Sequence, residues 1–209
     1  MIICDILKKD FVAAYAKENM MKNSIEIYLN TVSDNFKNLV NNSVQIEDAA
    51  KITIQALRNK NKIIFCGNGG SAADSQHLAA ELMGRYKIDR DPLPAIAITV
   101  DSSALTAIAN DYGYKNVFSR QLKGLGTKGD VLFAISTSGK SESIIEAIKT
   151  AKDIGMQVIS LTGLNNNEMN KMSDICINTP SKETNHIQEM HITIGQLICG
   201  LVENELFSK

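Results

Sequence analysis

Cys66-Gly67-Asn68-Gly69-Gly70-Ser71-Ala72-Ala73-Asp74-Ser75-Gln76-His77-Leu78-Ala79-Ala80-Glu81 is the stretch from which the fold is read. The apolar run leading into it, Ile63 to Cys66, has the length and branching of a buried strand. Three glycines then allow a sharp turn, and Ser71 or a neighbour can cap the Ala-rich helix that follows. Open N–H groups at such a helix start, at the positive end of its dipole, suit an anion or the polar edge of a sugar. His77 and Glu81 stand four residues apart, which puts them on one helix face, about 40° apart at ~100° per residue. A base and a metal ligand would thus lie beside an anion-binding turn, although the same spacing also serves a plain solvated pair.

Downstream, the apolar runs Ala95 to Val100, Val131 to Ser136, Val158 to Thr162 and Ile175 to Asn178 alternate with helical segments. With Ile63 to Cys66 they predict an α/β fold, a five-stranded parallel sheet flanked by helices, whose ligands bind at the carboxyl ends of the strands. The last helix should begin near Thr184. Upstream, residues 6–41 lack Pro and Gly and repeat apolar residues with helical period: Ile25, Leu29, Val32, Phe36, Leu39 and Val40. A second helix is expected from Ile46 to Asn59. We therefore read residues 1–60 as N-terminal helices belonging to the same unit, and residues 61–209 as the core. The apolar stripe needs a cover, either the protein's own sheet or a partner subunit.

The 209 residues carry a net charge of −1 with no sustained basic run, which gives no support to nucleic-acid or membrane-surface binding and favours small metabolites. Cys4, Cys66, Cys176 and Cys199 are too widely spaced for a zinc knuckle or a disulfide framework, and three of them lie in apolar runs that suit a core. No apolar stretch reaches the ~20 residues of a membrane span and no signal-peptide pattern opens the chain, so a cytoplasmic location is expected.

A second turn ends the third strand: Ala134-Ile135-Ser136-Thr137-Ser138-Gly139-Lys140-Ser141-Glu142-Ser143. Hydroxyls of Ser136, Thr137, Ser138 and Ser141, joined to N–H groups at a helix start, can surround three phosphate oxygens without an arginine. Lys140 is either solvated or a phosphate contact. Asn165-Asn166-Asn167 reads as a surface loop.

On these stretches, together with Ala104 to Tyr114, Val117 to Leu122 and Ile187-Gln188-Glu189-Met190-His191-Ile192, the sequence resembles the sugar-isomerase (SIS) domain and, within it, the phosphoheptose isomerase family, from about residue 24 to the end. The resemblance implies a single SIS domain with an N-terminal helical extension. It implies an aldose-ketose isomerase that converts sedoheptulose 7-phosphate to D-glycero-D-manno-heptose 7-phosphate, the first step toward heptose for lipopolysaccharide or capsule, in a homotetramer with sites at subunit boundaries. It places sugar hydroxyls near Asn68, Gly69, Gly70, Asn110 and Asp111, and the phosphate at Ser71 and at Ser136, Thr137, Ser138 and Ser141. It gives Glu81 the catalytic carboxylate and Gln188 a substrate contact. Zn²⁺ in metal-bearing members has ligands at the positions of His77, Glu81, Gln188 and a histidine eight residues after Gln188.

That last place holds Gln196. A glutamine has no proton to give near neutral pH, so it can only hydrogen-bond an oxyanion or offer its carbonyl oxygen to a metal. Either His191 or His186 takes over, or a metal polarises the carbonyl, or the chain is a weak or inactive relative. His191 is five residues from Gln196, about 140° round a helix, a poor replacement. Two alternatives follow: a non-catalytic sugar-phosphate binder similar to replication-initiator-associating proteins of this fold, or an isomerase of another phosphosugar.

Overall fold

The computed structural model describes residues 2–208, with side chains from Met20 onward. It divides into two compact units, Met1–Asn38 and Leu39–Lys209. The first is a helix, α1 (Ile2–Leu39), that starts earlier than the sequence pattern suggested. On it Met20, Met21, Ile25, Ile27 and Leu29 are exposed.

The second unit runs α2 (Ser43–Arg58), β1 (Ile63–Gly67), α3 (Gly70–Met83), β2 (Ala95–Ala97), α4 (Ser102–Tyr112), α5 (Val117–Leu125), β3 (Val131–Ile135), α6 (Glu142–Ile154), β4 (Gln157–Thr162), α7 (Glu168–Met172), β5 (Ile175–Asn178) and α8 (Thr184–Phe207). The five strands form a parallel sheet in the order β2-β1-β3-β4-β5. β2 is shorter than the expected 95–100, because the chain leaves the ladder after Ile98, whose carbonyl accepts from Gln121 rather than from a neighbouring strand.

Every residue of β1 and β3 is buried, as a parallel sheet covered on both faces requires. Alternate side chains serve opposite layers. Ile64, Cys66, Leu132, Ala134 and Val158 pack in one core with Val117, Phe118 and Leu122 of α5 and Ile144, Ile148 and Ala151 of α6. Phe65 and Phe133 stack across the β1–β3 pair, centroids 4.9 Å apart, and line the same small apolar space as Thr53, Leu82, Ile198 and Val202 from α2, α3 and α8. Cys66 and Cys199 are buried and Cys176 is half-buried; the side chain of Cys4 lies outside those described.

The order places β1 beside β3 although β2 lies between them in the chain. The connection after β1 runs to one side and the one after β3 to the other, so the crevice at this switch point receives both the glycine turn and the serine turn.

Candidate active site

The turn after β1 is tight. A Cβ at Gly67 would lie 2.4 Å from the carbonyl oxygen of Ser71, and Gly69, the residue before α3, has φ +56°. At Gly70 a Cβ would meet the side-chain amide of Gln188 at 2.5 Å, so α8 brings Gln188 onto the start of α3. Asn68 is held from both sides: its Oδ1 accepts from the Tyr114 hydroxyl at 2.7 Å, and its Nδ2 donates to Ser143 Oγ at 3.0 Å. Ser71 is buried in the first turn of α3, and its carbonyl accepts from Ser75 Oγ at 2.8 Å.

The turn after β3 starts from the sheet itself, with Ser136 N–H donating to the Leu161 carbonyl at 3.0 Å. Ser136 Oγ donates to Ser141 Oγ at 3.2 Å, and Ser138 Oγ accepts from Lys140 N–H at 3.2 Å. Ser141 precedes α6 without capping it through its side chain, which leaves the first N–H groups of the helix for another acceptor. Gly139 has φ +64°, and a Cβ there would fall 2.2 Å from the Asn167 amide. Asn167 is therefore no mere surface residue: it caps α7, bonds Thr162 Oγ1 at 3.1 Å and backs the serine turn. Asn165 joins Thr137, Ser138, Lys140 and Lys182 around an adjacent cleft of about 220 Å³.

On α3, His77 Nε2 lies 3.0 Å from Glu81 Oε1, with the side chains 49% and 19% exposed. Gln196 Nε2 of α8 is 3.4 Å from the same imidazole nitrogen. A proton on His77 Nε2 satisfies the carboxylate; Gln196 then meets that N–H with its amide oxygen after a half-turn of the amide. The structure thus brings together His77, Glu81 and Gln196, with Gln188 two turns earlier on α8. A divalent ion held by His77 and Glu81 would have the Gln196 amide as its next neighbour, whereas the Gln188 amide lies against Gly70, seven residues before His77 on α3; no group of three or more His, Cys, Asp or Glu side chains converges among the described residues.

His191 and His186 stand apart from this set. His191 is fully buried, with neither ring nitrogen in a well-formed hydrogen bond; burial pushes its imidazole down to about 4, only partly offset by the Thr162 backbone. His186 is buried and pairs with Glu189 at 3.0 Å. Asn110 and Asp111 lie exposed on α4, where Asn110 Nδ2 donates to Asp111 Oδ1 at 2.8 Å, three to four residues before the Tyr114 that grips Asn68.

Three further features were missed in the sequence. Asp74, one turn before His77, has a buried carboxyl oxygen without a hydrogen-bond partner, and burial pushes its carboxyl up to about 6 against the pull of His77. Tyr114 closes the stretch Ala104 to Tyr114 that carries the family resemblance, but nothing in the sequence signalled its contact with Asn68. Arg90 and Glu203, each 2% exposed, form an ion pair at 3.0 Å. Arg90 also donates to the carbonyls of Glu81 and Leu82, both at 2.9 Å, which anchors the end of α3 that carries Glu81. Burial pushes the Glu203 carboxyl up, but N–H groups of Ile88, Lys87 and Tyr86 together with Arg90 hold it below its ordinary value.

Residues 27–163 match the SIS domain family. The chain is 53% identical over 176 residues to the phosphoheptose isomerase of Akkermansia muciniphila, covering 84% of this chain and 93% of the relative. It is 43% identical to that of Helicobacter pylori over 208 residues, the whole of both. The structure of the phosphoheptose isomerase from Neisseria gonorrhoeae superposes with a TM-score of 0.83 at 40% identity, covering 88% of this chain and 99% of that one.

Proposed function

We infer that this chain, which belongs to the phosphoheptose isomerase family of SIS-domain proteins, converts sedoheptulose 7-phosphate to D-glycero-D-manno-heptose 7-phosphate through an enediolate. The observation that carries the reading is the convergence of Glu81, His77 and Gln196 between α3 and α8, on a fold whose glycine turn and hydroxyl-and-N–H turn leave the adjacent strands β1 and β3. The serine turn binds the phosphoryl group and the glycine turn, with Asn68 and Gln188, binds sugar hydroxyls. Glu81 then takes the proton from the carbon beside the carbonyl and returns it to the neighbouring carbon. His77 orients the carboxylate, and Gln196 faces His77 where a titratable group is absent, so its amide N–H can stabilise the oxyanion but cannot protonate it.

The donor set of one imidazole, one carboxylate and one neighbouring amide, with the remaining positions left to substrate or water, would hold a divalent ion such as Zn²⁺ more weakly than a set with a second imidazole. Bound there, the ion would act as a Lewis acid on the carbonyl oxygen. Our reading includes a homotetramer, supported by the exposed apolar side chains of α1, a cytoplasmic location, and a place at the head of heptose synthesis for lipopolysaccharide or capsule. Among the described residues no helix is long and apolar enough to cross a membrane.

Gln196 favours a second reading, a sugar-phosphate binder without turnover. Metal-stripped protein assayed on sedoheptulose 7-phosphate, with and without added Zn²⁺, separates the two. We expect turnover that rises with Zn²⁺ and a loss of about 10²–10⁴-fold in kcat for Glu81→Gln. Binding of the sugar phosphate with no turnover under either condition would leave the second reading standing.

A further inference from the structure

The cleft beside the serine turn is lined from the loops after three adjacent strands: Thr137, Ser138 and Lys140 after β3, Asn165 after β4, and Lys182 and Thr184 after β5. No carboxylate lines it. Lys62, Lys149 and Lys152 are neutralised by Asp130, Glu146 and Asp174, whereas Lys140 and Lys182 have no ion-pair partner among the described residues. Lys140 also borders a neighbouring cleft with Glu142, Glu146 and Glu168 but forms no ion pair with any of them, so two unpaired cations reach one concavity whose other polar groups are hydroxyls and an amide. Its edge is formed by Thr137 and Ser138, which also belong to the neutral turn.

The hydroxyls and N–H groups of that turn offer a phosphate monoester hydrogen bonds but, Lys140 apart, no countercharge, although the ester carries about −1.5 to −2 at pH 7. We propose that Lys140 and Lys182 form a two-cation clamp on the phosphoryl end of the substrate, closing over it from opposite sides of the cleft and setting the preference for phosphorylated over unphosphorylated sugars. The proposal rests on the isomerase reading for the identity of the substrate, but the clamp itself is a property of the cleft and binds inorganic phosphate as well. Lysine is suited to this place because its ammonium acts as a mobile point charge that adapts to an ester rotating in the turn. Because both side chains are exposed, their contribution is screened by salt.

The test measures inorganic phosphate binding by calorimetry, and KM and kcat on sedoheptulose 7-phosphate, for the wild type, Lys140→Met, Lys182→Met and the double variant. Each single change should weaken phosphate binding about fivefold and the double change about 20-fold at low salt, in line with one exposed ion pair each. KM should rise in parallel while kcat stays within about twofold. Lys149→Met should alter neither quantity, and Lys182→Arg should restore most of the lost binding. The differences should shrink in about 1 M salt. A double variant that binds phosphate as the wild type does, or a wild type that binds none, overturns the clamp. If the wild type fails to turn over sedoheptulose 7-phosphate while the lysine variants still lose phosphate binding, the isomerase reading falls and the clamp stands.

Discussion

The serine turn, the proposed phosphate end of the site, hangs from the sheet by backbone and short hydroxyl contacts. Ser136 N–H bonds to the Leu161 carbonyl, Ser136 to Ser141, and Gly139 lies flat against Asn167. At the other end Glu81, His77 and Gln196 project as long side chains from two helices, and α3 is steadied from behind by a desolvated pair, Arg90 and Glu203. A turn fixed by main-chain bonds can lose a side chain and keep its shape. A helix end tied by one buried guanidinium cannot lose it without leaving a buried charge unmatched. Binding and chemistry should therefore fail separately.

The largest way to break this comparison is Arg90→Met. It strands Glu203 with its N–H donors but no countercharge and should cost about 3–5 kcal/mol of stability. Urea unfolding should show that loss, and the folded fraction should keep its phosphate affinity while kcat falls. An unchanged unfolding midpoint would mean that α3 does not depend on the pair, and the milder Arg90→Lys, which keeps the charge, should retain most of the stability.

Gly139→Ala probes the opposite end with a smaller effect. The positive φ costs an alanine about 1–2 kcal/mol, and its methyl group must displace Asn167. KM and phosphate binding should worsen with little change in kcat; equal losses in both would erase the distinction between the two ends.

Smallest near neutral pH, and growing only in acid, is the pH dependence that His191 confers on α8, between Gln188 and Gln196. The unfolded chain takes up a proton on this imidazole below its ordinary 6.5, whereas the folded chain refuses it until about pH 4. The stabilisation is therefore complete above pH 6.5 and is lost as pH falls through that window, by at most about 1.4 kcal/mol per unit. Stability curves of His191→Leu and wild type, taken from pH 7 to 4.5, should diverge in slope over this range; parallel curves would remove His191 from the account.

Legibility in the sequence followed the same division. The strands and both turns were readable because each signal is contiguous: a short apolar run, glycines, hydroxyls, then a helix. His77 and Glu81 were readable as a pair because helical geometry puts residues four apart on one face. What joins distant segments was not readable. Arg90 and Glu203 are 113 residues apart and look like ordinary surface charges, and nothing in Asn68 announces Tyr114, 46 residues on. Asn167 looked like loop filler because its partner, the backbone at Gly139, has no side chain to advertise the contact. The place of Gln196 came from the family resemblance, and the structure shows only that it faces His77.

The pairing of β1 with β3, from Ile63 and Val131 to Gly67 and Ile135, has a kinetic consequence. Both turns spring from strands without an exposed residue, whose amides should exchange with deuterium only when the whole unit opens, whereas α4, with no buried residue, should exchange early. The floor of the crevice is thus its slowest part and the wall that carries Asn110 and Asp111 its quickest. Should a sugar contact Asn110 and Asp111 as the family resemblance implies, its arrival and release would follow the opening of α4 and leave the floor closed.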